Sequence, residues 1–96
     1  YDFNIAATKS DVFLFLEKNK ATYDIIFADP PYALEQKNFE KMVCTIFEKK
    51  ALHDEGMLII EHSKHTKLDH VIHFSFKKSY GGSIFSFFEI GKSTEV

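Results

Sequence analysis

The sequence of 96 residues has little cysteine, no surplus of basic charge and no long apolar run. Its single cysteine, Cys44, excludes an internal disulfide and fits a reducing compartment. A net charge of −2 argues against a general polyanion binder. No apolar run approaches the roughly 20 residues that span a bilayer, and no signal peptide opens the chain. We therefore expect a cytoplasmic protein that does not bind membranes.

What the chain does have is apolar and aromatic residues in quantity. Its hydrophobic content is 45% and it contains eleven phenylalanines, which indicates a packed core rather than disorder. A chain of this length buries only about two-thirds of its unfolded surface, so it has room for one small domain. We expect a single domain over 1–96, with a frayed tail at 91–96.

The apolar pattern predicts an α/β chain. Two short apolar runs flank a helix whose apolar residues recur at i, i+3, i+4, i+7 and i+8, and a right-handed crossover would make these two strands parallel. Cys44 is assigned to the apolar side of this helix and is predicted to be a buried small hydrophobic residue. The predicted strands cover 3–7, 24–28 and 57–61, and the last of these follows a polar turn that ends at Gly56. One helix is predicted from Ser10 to 18–20 and a second over 36–50, with Phe39, Met42, Val43, Ile46 and Phe47 on its inward face. A hairpin of strands 71–77 and 83–90 is predicted around Tyr80-Gly81-Gly82.

The most informative motif is Asp29-Pro30-Pro31-Tyr32, directly after the strand over 24–28. The two prolines lack a backbone N–H and end the strand. Asp29 is thereby held at the carboxyl end of a buried strand, where open α/β sheets bind ligands. A carboxylate, a proline carbonyl and an aromatic ring so close together suit the binding of a planar base with an exocyclic amine.

This motif, with the runs at 10–16, 56–63 and 78–83, resembles the bacterial small-subunit ribosomal RNA guanine-N2 methyltransferases, which are class I S-adenosylmethionine-dependent enzymes. The resemblance covers nearly the whole chain but only the carboxyl-terminal half of that family. It implies half of a Rossmann-like sheet, with parallel strands and a terminal antiparallel hairpin. Because no glycine-rich loop or ribose-binding acid is recognisable, the amino-terminal cofactor-binding half is expected to be missing and the fragment alone to be inactive.

The resemblance also implies roles for individual residues. Asp29 and the carbonyl of Pro30 would bind the target amine, while Tyr32 would stack on the base beside Pro31. S-adenosyl-L-methionine would contact Asp29 and three residues near the first helix. These three residues are Asp11, which would accept a bond from the adenine amine, Val12 through its backbone, and Phe13 beside the adenine ring. Asp11 also suits the amino-terminal end of a helix whether or not it binds a ligand.

Several other residues are weaker candidates for a role in binding. Glu61 at a strand end and Tyr80 in the hairpin would border the base pocket. His62 and His65 have no convincing third metal ligand, so we predict a solvated polar loop over 62–69 and no metal site. Lys77 and Lys78, near the pocket rim, are candidates for phosphate contacts.

Three alternatives remain open at this point. Adenine-N6 or cytosine-N4 DNA methyltransferases use the same motif, although they usually carry a recognition domain that has no counterpart here. Release-factor glutamine methyltransferases typically have Asn at position 29. A non-catalytic α/β module, in which the prolines merely end a strand, is the alternative from another class. The expected partner is ribosomal RNA or the assembling small ribosomal subunit, and an exposed sheet edge would allow self-association.

Overall fold

The computed structural model describes residues 5–8, 22–30 and 34–91. Within these ranges, five strands form one sheet in the order β1-β2-β3-β5-β4, and a single helix packs against it. The elements are β1 Ile5–Thr8, β2 Tyr23–Ala28, α1 Gln36–Glu48, β3 Leu52–Ser63, β4 Phe74–Tyr80 and β5 Ser83–Glu89. The α/β class predicted from the sequence is confirmed.

The parallel part of the sheet consists of β1, β2 and β3. Strand β2 pairs with β3 in a register that places Ile25 opposite Met57 and Ala28 opposite Ile60. Their apolar sequences suit a central position, because parallel strands are normally covered on both faces. The predicted parallel pairing of these two runs is therefore confirmed.

Helix α1 forms the connection from β2 to β3 and covers one face of the sheet. Its residues Phe39, Met42, Val43 and Ile46 are buried, and Phe47 is partly buried against the same core. They meet the strand residues Ile26, Ala28, Leu58, Ile60 and Phe88. The predicted inward face is confirmed, while the helix ends two residues earlier than predicted.

The prediction for Cys44 was wrong, because its side chain is exposed. Successive helical residues are about 100° apart, so a residue adjacent to the apolar pattern does not necessarily share its face. Cys44 lies four residues after Glu40 and four before Glu48, and thus belongs to the outward polar face.

Strand β3 begins five residues before the predicted start, and Gly56 lies inside it rather than ending a turn. Three extra residues are accommodated in β3 between the pairs Tyr23–Leu52 and Ile25–Met57. Gly56 is buried at this irregularity. A Cβ atom on it would lie 3.0 Å from the backbone oxygens of both Asp24 and His53. The close approach of these backbone segments therefore favours glycine, because a side chain could fit only if its neighbours moved apart.

The antiparallel part of the sheet is the β4–β5 hairpin, in which β5 lies between β3 and β4. The two-residue loop Gly81-Gly82 joins them, and the positive φ of 57° at Gly81 matches the first position of a type II′ turn. The predicted hairpin is confirmed. However, β4 begins at Phe74 because backbone bonds from Val71 to Leu68 and from Phe74 to Val71 form turns there.

Several predictions fall outside the described residues. These are the start of the first strand at Phe3, the helix from Ser10, the motif residues Pro31 and Tyr32, and the tail after Gly91. In the part of the chain that the structure describes, no helix is long and apolar enough to cross a membrane.

Replacement of Gly56 by alanine should lower the free energy of unfolding by about 1–3 kcal/mol, because the new methyl group would overlap backbone oxygens that cannot move independently of the sheet. Gly82→Ala is the matched control, since a Cβ there would have no atom within 4 Å and should change stability by less than about 0.5 kcal/mol. Urea unfolding of both variants measures the difference. Equal midpoints for the two variants would contradict the proposed crowding.

Candidate nucleobase-binding site

Two carboxylates lie at the same edge of the sheet. Asp29 directly follows Ala28, the last residue of β2, and Glu61 directly follows Ile60, which pairs with Ala28. Because β2 and β3 are parallel, their carboxyl ends meet at this edge. Asp29 and Glu61 are therefore brought together by strand register, although they are 32 positions apart in the sequence.

A cavity of about 130 Å³ lies at this edge. Its wall combines carboxylates, hydroxyls, an imidazole and an aromatic ring. Helix α1 contributes the ring, and the turn of the β4–β5 hairpin closes one side. The lining residues are Asp29, Pro30, Phe39, Glu61, His62, Ser63, Thr66, Gly82 and Ser83.

His62 is the buried polar residue of this wall, with only 7% of its surface exposed. Its Nδ1 atom lies 2.9 Å from the Ser63 carbonyl oxygen, which only accepts, so Nδ1 carries the proton. Its Nε2 atom then accepts a bond of 2.7 Å from the Ser86 hydroxyl. Burial lowers the pKa of His62, and the bond to Ser63 opposes this only in part. His62 is therefore a neutral residue that joins β3 to β5.

The prediction that His62 lies in a solvated loop was wrong. The alternation of β3 continues through Leu58, Ile60 and His62, which all point to the buried side facing α1. Extending this period of two beyond Glu61 would have identified His62 as a core residue. His65, in contrast, is exposed in the turn that follows.

The structure tests only part of the predicted base pocket. Asp29, Pro30 and Glu61 all line the cavity. Tyr80 belongs to the adjacent hairpin, but its ring packs on Phe85 at 5.7 Å rather than lining the cavity. The predicted contacts of Pro31, Tyr32, Asp11, Val12 and Phe13 lie outside the described residues.

The loop between β3 and β4 is attached to α1 beside the cavity. The Gln36 amide donates to the Lys67 carbonyl oxygen at 2.6 Å and accepts from the Lys67 backbone N–H at 2.9 Å. Gln36 also donates to Glu40, and this bond together with His70 lowers the pKa of the Glu40 carboxyl. The loop that carries Thr66 is thereby held at a defined distance from the helix.

At the other end of this loop, Asp69 forms an ion pair of 2.9 Å with Lys77 of β4. A hydrogen bond from Lys77 lowers the pKa of the Asp69 carboxyl. This pair accounts for one of the two lysines considered for phosphate contacts. Among the described residues, no group of three or more His, Cys, Asp and Glu side chains is placed to hold a metal ion.

Comparison with protein families gives a match over residues 3–89 to the family described as Conserved hypothetical protein 95. This chain belongs to that family. Its membership confirms the relationship to the methyltransferase family that the motif and its context indicated. No curated protein sequence matches the chain significantly.

Three solved structures show the fold of this Conserved hypothetical protein 95 member in longer chains. A hypothetical protein from Thermus thermophilus has a TM-score of 0.64 at 20% identity, over 82% of this chain and 44% of its own. A conserved hypothetical protein from Streptococcus pyogenes has a TM-score of 0.67 at 23% identity, over 79% and 48%. A candidate methylase from Haemophilus influenzae has a TM-score of 0.61 at 20% identity, over 81% and 50%.

The family member described here thus spans about half the length of these three structures. The sheet with parallel strands and a terminal antiparallel hairpin is the carboxyl-terminal half of a Rossmann-like methyltransferase sheet, as the sequence predicted. The shared fold places Asp29 and Glu61 where such sheets bind ligands.

The burial of neutral His62 predicts a pH dependence of stability. Because its folded pKa lies below its unfolded value of about 6.5, protonation favours unfolding. The contribution of neutral His62 to the free energy of unfolding should be complete above pH 6.5. It should be lost as the pH falls below 6.5 toward the pKa of His62 in the folded state. The free energy of unfolding, measured between pH 7.5 and 5, should therefore fall less steeply in His62→Gln than in the unmodified chain.

His65→Gln is the matched control for this measurement, because it makes the same replacement at an exposed histidine three residues away. Glu40, whose carboxyl pKa is lowered, loses its contribution only below its usual value of 4.5 and so lies outside this pH window. An identical slope for His62→Gln and the unmodified chain would contradict the assignment.

Proposed function

We propose that this chain supplies the amine-binding half of a methyltransferase that acts on an exocyclic amine of a nucleobase. The observation that carries the proposal is the meeting of Asp29, Pro30 and Glu61 around one cavity at the carboxyl ends of β2 and β3. Membership of the family and the fold shared with a candidate methylase support it. The substrate we propose is guanine N2 in small-subunit ribosomal RNA, in the cytoplasm.

The chemistry of an aryl amine explains why such a site needs a carboxylate. The nitrogen lone pair is delocalised into the base, so the amine is a poor nucleophile. The carboxylate of Asp29 and the carbonyl oxygen of Pro30 each accept one N–H, which orients the nitrogen and increases electron density on it. As the nitrogen takes the methyl group, the sulfur–methyl bond of the donor would break and leave a neutral thioether, while the amine becomes positively charged. The adjacent Asp29 carboxylate would stabilise this charge until the amine releases a proton to solvent.

Glu61 adds a third hydrogen-bond acceptor beside the Asp29 carboxylate and the Pro30 carbonyl oxygen. Guanine presents its N1–H beside the exocyclic amine, so the Glu61 carboxylate, two residues before the end of the neighbouring strand β3, can accept from it. Phe39 supplies an apolar wall on the helix side of the same cavity. To reach these residues the base must leave its stack, as enzymes that modify bases require. In this arrangement, Asp29 acts on the reacting nitrogen and Glu61 positions the ring.

The cofactor implied by the family is S-adenosylmethionine, which supplies an electrophilic methyl group when bound. A cavity of 130 Å³ is smaller than the roughly 300–1,000 Å³ of typical small-molecule pockets. The described residues therefore fit the end of a base and its amine, with Asp29 at the boundary of the cofactor site. Adenine contacts are proposed for Asp11, Val12 and Phe13, and the remaining contacts for the half of the fold that the longer relatives contain.

Asp29→Asn in the full-length protein should lower the methylation rate about a hundredfold or more, because the loss of a charged acceptor at a desolvated site costs a few kcal/mol. The cofactor dissociation constant should change little. Single-turnover rates and calorimetry measure the two effects separately. Asp54→Asn, an exposed aspartate in β3, is the matched control and should retain the rate. A wild-type rate in Asp29→Asn would overturn the proposal.

The substrate class can be tested by incubating the full-length protein with small-subunit ribosomal RNA, duplex DNA or a release factor. Mass spectrometry then detects methylated nucleosides from the nucleic acids and methylated glutamine in peptides from the release factor. We expect N2-methylguanosine in the RNA. Methylated adenine or cytosine in DNA alone would instead identify a DNA enzyme. In a binding measurement with the same RNA, Tyr32→Ala should weaken RNA binding while Tyr32→Phe should have a mild effect, because the ring is proposed to stack on the base.

A further inference from the structure

A partly exposed group of aromatic rings lies on the sheet face opposite α1. We name it the aromatic stripe and define it by Phe76 and Tyr80 of β4 and Phe85 and Phe87 of β5. Side chains alternate along a strand, and the buried residues Ser86 and Phe88 point toward the helix, so Phe85 and Phe87 point away from it. The rings of Phe76 and Tyr80 follow them by direct contact.

The stripe is an ordered array of rings. Phe76 is stacked on Phe87 with the ring centroids 4.3 Å apart and the planes within 8° of parallel. Tyr80 meets Phe85 edge-on at 5.7 Å, and Phe85 in turn packs 6.1 Å from Phe27 of β2. The inner rings are thus supported by the sheet and by one another. The outer two present accessible surface, with Tyr80 exposed to 61% and Phe76 to 39%.

A positive charge lies within the stripe. Residues 76, 78 and 80 share one face of β4, so the exposed Lys78 projects between Phe76 and Tyr80. The alternate residue Lys77 is paired with Asp69 and belongs to the other face. The edge strand β4 therefore presents a ring, an ammonium group and a second ring in succession on one face.

The stripe is continuous with the proposed base site. Tyr80 precedes the turn Gly81-Gly82, and Gly82 and Ser83 line the cavity that Asp29 and Glu61 share. From Tyr80 to Phe76, four strand residues span roughly 13 Å at about 3.3 Å per residue. That length accommodates about two bases of an extended single strand beside a third base in the cavity.

We propose that the aromatic stripe binds the single-stranded RNA that flanks the methylated base, by stacking two bases on Tyr80 and Phe76 and pairing Lys78 with a phosphate. This inference rests on the proposed function for its choice of RNA. Aromatic rings on a sheet surface are a common means of binding single-stranded RNA, because every base has a face that stacks. The negative charges of the cavity suit the amine of a bound base, and the positive charge of Lys78 suits a backbone phosphate. The distribution of charge therefore matches an RNA strand that places one base in the cavity and its phosphates beside Lys78.

Binding of fluorescein-labelled octauridylate to the 96-residue chain, followed by anisotropy, tests the stripe without requiring methylation. Tyr80→Ala and Phe76→Ala should each weaken binding roughly five- to 150-fold, while Tyr80→Phe should retain it. Lys78→Ala should reduce the slope of log affinity against log salt by about 0.7. The matched controls are Ile5→Ala, an exposed apolar residue at the opposite sheet edge, and Lys49→Ala, an exposed lysine after α1; both should bind as the unmodified chain does.

Unchanged binding in Tyr80→Ala and Lys78→Ala would overturn the inference even if Asp29→Asn abolishes methylation, so the two proposals fail separately. Tighter binding of octadeoxythymidylate than of octauridylate would overturn the choice of RNA. Sedimentation of the unmodified chain tests whether a second copy of the chain, rather than RNA, covers the aromatic stripe. A dimer that dissociates in Tyr80→Ala, with RNA binding unaltered, would show that a second copy of the chain covers the stripe and would also overturn the inference.

Discussion

The parallel pairing of β2 with β3 is the interaction on which the rest of the molecule depends. The register that sets Ala28 opposite Ile60 also sets Asp29 beside Glu61, so the geometry of the proposed site follows from backbone hydrogen bonding between two apolar strands. Helix α1 fixes this pairing by burying Phe39, Met42, Val43 and Ile46 against both strands. Phe39 belongs both to this core and to the cavity wall, so packing of the core and shape of the site are coupled.

The proposed site is held rigidly on one side by polar contacts rather than by apolar packing. His62 connects β3 to β5 through the Ser86 hydroxyl, and Gln36 attaches the following loop to the start of α1. Among the described residues, no buried side-chain polar atom is left without a partner. Such satisfied networks favour one arrangement of the chain over its alternatives. In the proposed mechanism, they would provide the pre-organisation that a weak nucleophile requires.

The elements with a clear apolar pattern along their whole length were predicted well from the sequence. The strand over 24–28, the inward face of α1 and the parallel pairing were all confirmed, because apolar periodicity and crossover handedness are strong local constraints. Errors arose where tertiary contacts decide the outcome. Gly56 is typical of a turn but is favoured by backbone crowding, and His62 is typical of a polar loop but is made neutral and buried by Ser63 and Ser86. The meeting of Asp29 and Glu61 at one cavity followed from the predicted fold, whereas nothing local in the sequence indicated that Thr66 and Ser83 line the cavity.

The reversal of direction at β5 gives the hairpin an unusual position relative to the site. Because β5 runs antiparallel to β3, its amino end, together with the tight Gly81-Gly82 loop, reaches the same edge as the carboxyl ends of β2 and β3. Hairpin loops tolerate insertions because the paired strands beneath them keep their register. A lengthened loop here would therefore extend over the proposed base site while leaving the strand pairing unaltered. Under the proposed function, small changes in this single turn would alter the choice of substrate without altering the sheet.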